Sequence, residues 1–148
     1  MRALTVHPWW AALLMSGHKT TENRSWAPNL APGEVFAVHA GSKRPGREDR
    51  ERVQNQMVAG GLDLLELQEV MDAPRGVILG TITYAGCDDR VLSSWDLPEL
   101  LHWRVCSPVL CKPIPCPGAM GLWRLPTHVA GLLMPNAAAP DASWCPDH

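Results

Sequence analysis

The first twenty-six residues change their pattern of apolar and polar positions twice. Ala3 to Val6, "ALTV", is a short apolar run that predicts a strand. Pro8 then suits the first turn of a helix, where its missing N–H is not needed. "PWWAALLMSG" continues with helix formers and stops at Gly17, a natural terminator. On that helix Trp9, Ala12 and Leu13 share one face, and Trp10 and Leu14 share the next. "KTTENRSW" has no helical apolar period and predicts an extended segment. Strand alternation puts Glu22, Arg24 and Trp26 on one side. Lys19 has the opposite parity but adjoins the Gly17 turn, so it can swing toward them.

Further along, "VFAVHAG" (Val35 to Gly41) predicts a buried strand ending near His39. Residues 47 to 59 predict a charged helix carrying Val53 and Met57 at helical spacing, broken by a Gly-Gly pair. A second amphipathic helix is expected from Leu62 to Met71. "GVILGTITYAG" (Gly76 to Gly86) is the strongest strand pattern in the chain. "SSWDLPELLHW" predicts a loop and a short helix capped by Ser94 or Asp96. "WRVCSPVLCKPIPC" reads as two extended segments that proline confines to edges or bulges. A last strand is expected at Leu122 to Leu125. From Thr127 the chain turns Ala- and Pro-rich, which predicts a partly disordered tail over 127–148, with Gly131 to Met134 able to dock. One domain over 1–126 follows. The irregular alternation of strands and helices predicts an α+β fold, a mixed sheet curled into a small barrel with helices over its ends.

Composition adjusts this picture in three ways. Seven Trp stand beside one Phe and one Tyr in 148 residues. Some must be core, and enough remain for one or two to stack on a flat ligand. The formal net charge of −2 argues against holding nucleic acid by a bulk positive field. A local patch remains open: Lys43, Arg44, Arg47, Arg50 and Arg52 lie among Glu48, Asp49 and Glu51. This run reads first as a solvated helix face and second as a rim that touches phosphate. Finally, five scattered cysteines make a poor disulfide framework, and no signal peptide or membrane span is evident, so a cytoplasmic protein with reduced thiols is expected. Cys106, Cys111 and Cys116 are spaced too widely and interrupted by too many prolines for a zinc site, and no metal or cofactor is expected.

Lys19, Glu22 and Arg24 are the residues with chemistry to offer. Arg supplies a planar fork for phosphate or a base edge. Glu accepts from an exocyclic amine, as acids do with cytosine. Lys supplies a charge, or a nucleophile if burial lowers its pKa. Trp9, Trp10, Trp26 or Trp123 could stack on a base, worth roughly 1–3 kcal/mol. The plainer alternative is an ion pair between Glu22 and Arg24, with Lys19 solvated. For His39, a satisfied core histidine is the plainer role.

Three stretches together resemble the ASCH domain family of the PUA-like superfold. They are "ALTVHPWWAALLMSGHKTTENRSW", with a G-x-K-x-x-E-x-R signature, then "GEVFAVHAG", then "PIPCPGAMGLWRLP". With "GVILGTITYAG" they span residues 1 to about 126. His7 stands where glutamine is common before the Pro-Trp pair. The resemblance implies a PUA-like mixed β pseudo-barrel flanked by helices, with a cleft beside the first helix. Trp9, Gly17, Lys19, Glu22, Arg24, Trp26, His39 and Trp123 are the expected ligand-binding residues. It also implies a nucleic-acid-binding module whose partner is RNA or a modified nucleoside, with a monomer favoured. Some small ASCH enzymes hydrolyse N4-acetylcytidine with a Lys, a Thr and a Glu, and others have been described as ribonucleases. A hydrolase here would use Lys19 and Glu22 with Thr20 or Thr21. Glu22 stands where those enzymes carry the threonine, which counts against that activity. A protein-interaction adaptor is the third alternative.

Overall fold

The computed structural model describes residues 1–133. Strand β1 (Arg2–Val6) leads into helix α1 (Pro8–Met15), then β2 (Thr21–Arg24) and β3 (Val35–Ala40). Helices α2 (Arg47–Ala59) and α3 (Leu64–Met71) follow, then β4 (Val77–Asp88), β5 (Leu101–Pro115), β6 (Leu122–Arg124) and α4 (Thr127–Leu133). The six strands form one sheet in the order β2-β5-β4-β3-β1-β6. Only β1 and β3 run parallel, so the sheet is mixed. Register shifts in β4 against both neighbours mark bulges, which curl it toward a half-barrel. The fold is the expected α+β, PUA-like pseudo-barrel.

Helix α1 is buried on two sides, which explains why it is apolar almost all round. Ala11, Leu14 and Met15 pack on the sheet with Leu4, Val6, Phe36, Val38 and Trp103. Trp9 and Leu13 pack instead under α2 and α3, against Val53, Met57 and Val70. A third cluster lies under α4 and joins Ala3, Ala37, Ile78, Leu125, Val129 and Leu133. Gly80 sits at a bulge with φ +154°, where a Cβ would collide with the Val109 carbonyl. Only glycine fits that close approach of β4 to β5.

Several expectations need correction. The Pro-rich run is a single strand, β5, rather than two segments; only Leu101 to Arg104 pair with β2, and the half that carries the prolines pairs with β4 alone, on the edge that proline predicts. Its prolines are accommodated by the bulges that the pattern did anticipate. No helix forms between Ser94 and Trp103. Glu99 adopts φ +71°, and the Asp96 carboxylate accepts from the Leu92 N–H and from Arg104 instead of capping a helix. Thr127–Leu133 form α4, whose Val129 and Leu133 are buried, in line with the docking expected near Gly131. The partly disordered tail expected beyond it, including Met134, Trp144, Cys145 and His148, lies outside the described residues. Cys87, Cys111 and Cys116 are free thiols. Among the described residues no helix is long and apolar enough to cross a membrane. No group of three metal-ligating side chains comes together among them.

Candidate functional site

The turn after α1 sets the position of Lys19. Gly17 takes φ +83°, a conformation glycine enters without steric cost, and the chain reverses there. The Lys19 N–H then donates to the Leu13 carbonyl at 3.1 Å. The lysine side chain turns inward and is 1% exposed. Its Nζ lies 3.6 Å from Glu22 Oε1 and 4.9 Å from the centroid of the Trp10 ring. Nζ has no hydrogen-bond partner among the described residues. Burial lowers its pKa, and the neighbouring Glu22 charge opposes that shift. Lys19 is therefore not the solvated end of an ion pair.

Glu22 and Arg24 share one side of β2, as alternation requires. Glu22 is 2% exposed. Its Oε2 accepts from Arg24 Nη2 at 3.0 Å and Nε at 3.3 Å. Arg24 Nη2 also donates to the Thr5 carbonyl at 2.8 Å, tying β2 to β1 across the mouth of the sheet. The outcome is a chain of charge, Lys19–Glu22–Arg24, held in a fixed order. One wall of a cavity of about 290 Å³ is built from Glu22, Asn23 and Arg24, and the other from Thr5, His7 and Trp10.

Two further networks hold this wall in place. The Thr5 hydroxyl accepts from Trp123 Nε1 at 3.0 Å and lies 3.1 Å from His39 Nδ1. The Cys116 carbonyl, 2.6 Å from Nε2, can only accept, so the proton of the neutral His39 ring sits on Nε2 and Nδ1 accepts from the Thr5 hydroxyl. Burial lowers the His39 pKa and favours this neutral form. The second network centres on Arg104, which neighbours β2 from β5. Arg104 donates to Thr21 Oγ1 at 2.9 Å, to Asp96 at 2.8 Å and to both oxygens of Asp88 at 2.7 and 3.2 Å. These bonds hold the Asp88 carboxyl well below its ordinary pKa. Asn23 adds a third tie, donating to the Trp95 carbonyl and accepting from the Leu97 N–H.

The expected site residues thus divide. Lys19, Glu22 and Arg24 come together. Trp9 does not join them, because it is 3% exposed in the core beneath α2. Trp26 lies beyond the end of β2 with its ring edge-on to Trp103 at 4.8 Å. Its expected place beside Arg24 fails because the strand stops before it. His39 and Trp123 reach the site only through Thr5, and Gly17 acts through the turn. Thr20 is exposed, and Thr21 is buried on Arg104. Neither hydroxyl lines the cavity. Of the four candidate tryptophans, Trp10 is the one at the cavity.

Thr5, His7, Asn23 and Arg104 were not anticipated as parts of the site. His7 had a signal, since it precedes Pro8 where a helix start needs a cap, and its Nδ1 accepts from the Trp9 N–H. Arg104 had none, because its partner Thr21 is 83 positions away.

No curated protein matches the chain. The model of the ASCH domain matches residues 4–113, more than half of the chain and all of the cavity wall. On that match the chain belongs to the ASCH domain family, a PUA-like fold generally associated with RNA binding.

Proposed function

We propose that the protein binds RNA or a modified nucleoside by holding one nucleobase in the cavity between α1 and β2. One observation carries this reading: a buried carboxylate whose Oε1 is met only by the Lys19 charge lines the cavity beside an arginine with an unused nitrogen. Arg24 binds only Oε2 of Glu22, while the nearest cation to Oε1 is 3.6 Å away, beyond hydrogen-bond length. Arg24 Nη1 has no hydrogen bond among the described residues, because Nε and Nη2 make all those of this side chain. An acceptor beside a donor matches the amine and ring nitrogen of a cytosine-type edge. Trp10 supplies an aromatic face at the same cavity.

Hydrolysis has one supporting observation, the lowered pKa of Lys19, which favours the neutral amine that a base or nucleophile needs. The hydroxyl at the cavity is that of Thr5, which is engaged with Trp123 and His39, and neither threonine next to Lys19 in the chain lines it. Thr21 is engaged with Arg104 and Thr20 faces outward. Binding is therefore the better supported activity. An adaptor would not need buried polar groups to converge.

Calorimetric titration with cytidine and uridine tests the proposal. Uridine places a carbonyl oxygen where cytidine places its amine, and that oxygen would face Glu22. Cytidine should bind at least about tenfold more tightly, the lower end of what one paired base edge discriminates. Equal binding of the two would contradict it. N4-Acetylcytidine incubated with the protein should release no acetate by mass analysis.

A further inference from the structure

Thr5 and His7 wall a second cavity as well, of about 220 Å³, whose other lining includes Pro8, Pro45, Lys43, Arg44 and Asp49. The first cavity alone falls at the small edge of the range for ligand sites, about 300–1,000 Å³. The volumes of the two, which share Thr5 and His7 in their walls, together lie well inside it.

The charges around the second cavity are unequally matched. Asp49 is engaged by Arg52 at 2.8 Å, and Glu51 by Arg47 at 3.8 Å. Lys43 and Arg44 are exposed at its rim and have no ion-pair partner among the described residues. Five cations face three acids between residues 43 and 52, so this segment is positive in a chain whose net charge is −2. The walls themselves are largely apolar, with two prolines and Val6. Apolar walls under a cationic rim suit a sugar ring that carries a phosphate. His7 stands at the junction. Its Nδ1 accepts from the Trp9 N–H, which leaves Nε2 as the proton carrier, and Nε2 is buried without a partner.

We propose that the second cavity holds the sugar-phosphate of the nucleotide whose base occupies the first. The preferred ligand is then a nucleotide or an RNA unit and not a free base or nucleoside. This rests on the base-binding reading of the first cavity. It also assigns the 43–52 run a role as a phosphate rim at its N-terminal end.

The test is calorimetric titration of the whole protein with cytidine, cytidine 5′-monophosphate and cytidine 3′-monophosphate at low salt. One monophosphate should bind about tenfold more tightly than cytidine, through charged contacts that salt weakens. The advantage should shrink as salt rises. In the double variant Lys43→Gln/Arg44→Gln, neither monophosphate should bind more tightly than cytidine. Cytidine binding with no gain from either phosphate would overturn this inference alone. So would an advantage that survives the double variant. Failure of all three probes to bind would overturn the base-binding reading together with it.

Discussion

Lys19 is the residue with the clearest thermodynamic signature. Its pKa is lowered from 10.5 by burial, so the folded state releases this proton at a lower pH than the unfolded chain does. Between the two values the unfolded chain binds more protons, and stability rises with pH across that window. Below the folded-state pKa the charge is buried and its cost is present in full. Lys19→Met removes the titration and keeps the volume. Urea midpoints measured from pH 7 to pH 10 should therefore shift in favour of the wild type, relative to the variant, as pH rises. A difference independent of pH would contradict the burial of a titrating amine. The sequence placed Lys19 beside Glu22 and Arg24 correctly but left open whether it was solvated. That choice depends on the Gly17 turn and the Trp10 ring, which bring the side chain under cover.

At the scale of elements, β2 is a four-residue strand whose position decides the site. It pairs with β5 alone, at one end of the sheet. Arg104 anchors it by bonding Thr21 on β2, Asp88 at the end of β4 and Asp96 on the segment between β4 and β5. Arg104→Leu takes the buried charge partner from Asp96, which is fully buried and keeps the Leu92 N–H, while Asp88 keeps Arg90. Such a loss costs about 3–5 kcal/mol. Urea unfolding should show a decrease of that size, and a loss under about 1 kcal/mol would mean that β2 is held by other contacts. None of this network was legible in the chain, because its members are joined only by tertiary folding. Elements with a strong local pattern were legible. Helix α2 spans the expected residues and buries Val53 and Met57 as spacing required. Strand β5 was legible in part: Pro108, Pro113 and Pro115 mark the half that lies on an edge beside β4 alone, but they also break what is one strand into two segments in the pattern.

Across the whole molecule, charge is local rather than global. A net charge of −2 gives no bulk attraction to a polyanion. Affinity must come from positioned groups: the buried Lys19–Glu22–Arg24 chain for a base, and the exposed cations at 43–52 for phosphate. The two sets differ in shelter. The Arg24 side chain is 26% exposed and fixed to Glu22 and Thr5, whereas Arg47 is 93% exposed and screened by solvent and salt. Residues 1–126 hold all the parts of this arrangement, and α4 seals the sheet face beneath β1 and β3 without touching the cavity lining.

Calorimetric titration of cytidine into wild type, Arg24→Ala and Arg47→Ala at two salt concentrations tests the base-binding claim most directly. A hydrogen bond to a charged group is worth about 1.5–3 kcal/mol, so Arg24→Ala should weaken binding by about tenfold to a hundredfold at either salt. Arg47→Ala should bind cytidine as the wild type does. Equal, salt-sensitive losses in both variants would show a diffuse charged surface in place of a base pocket, and would contradict the account.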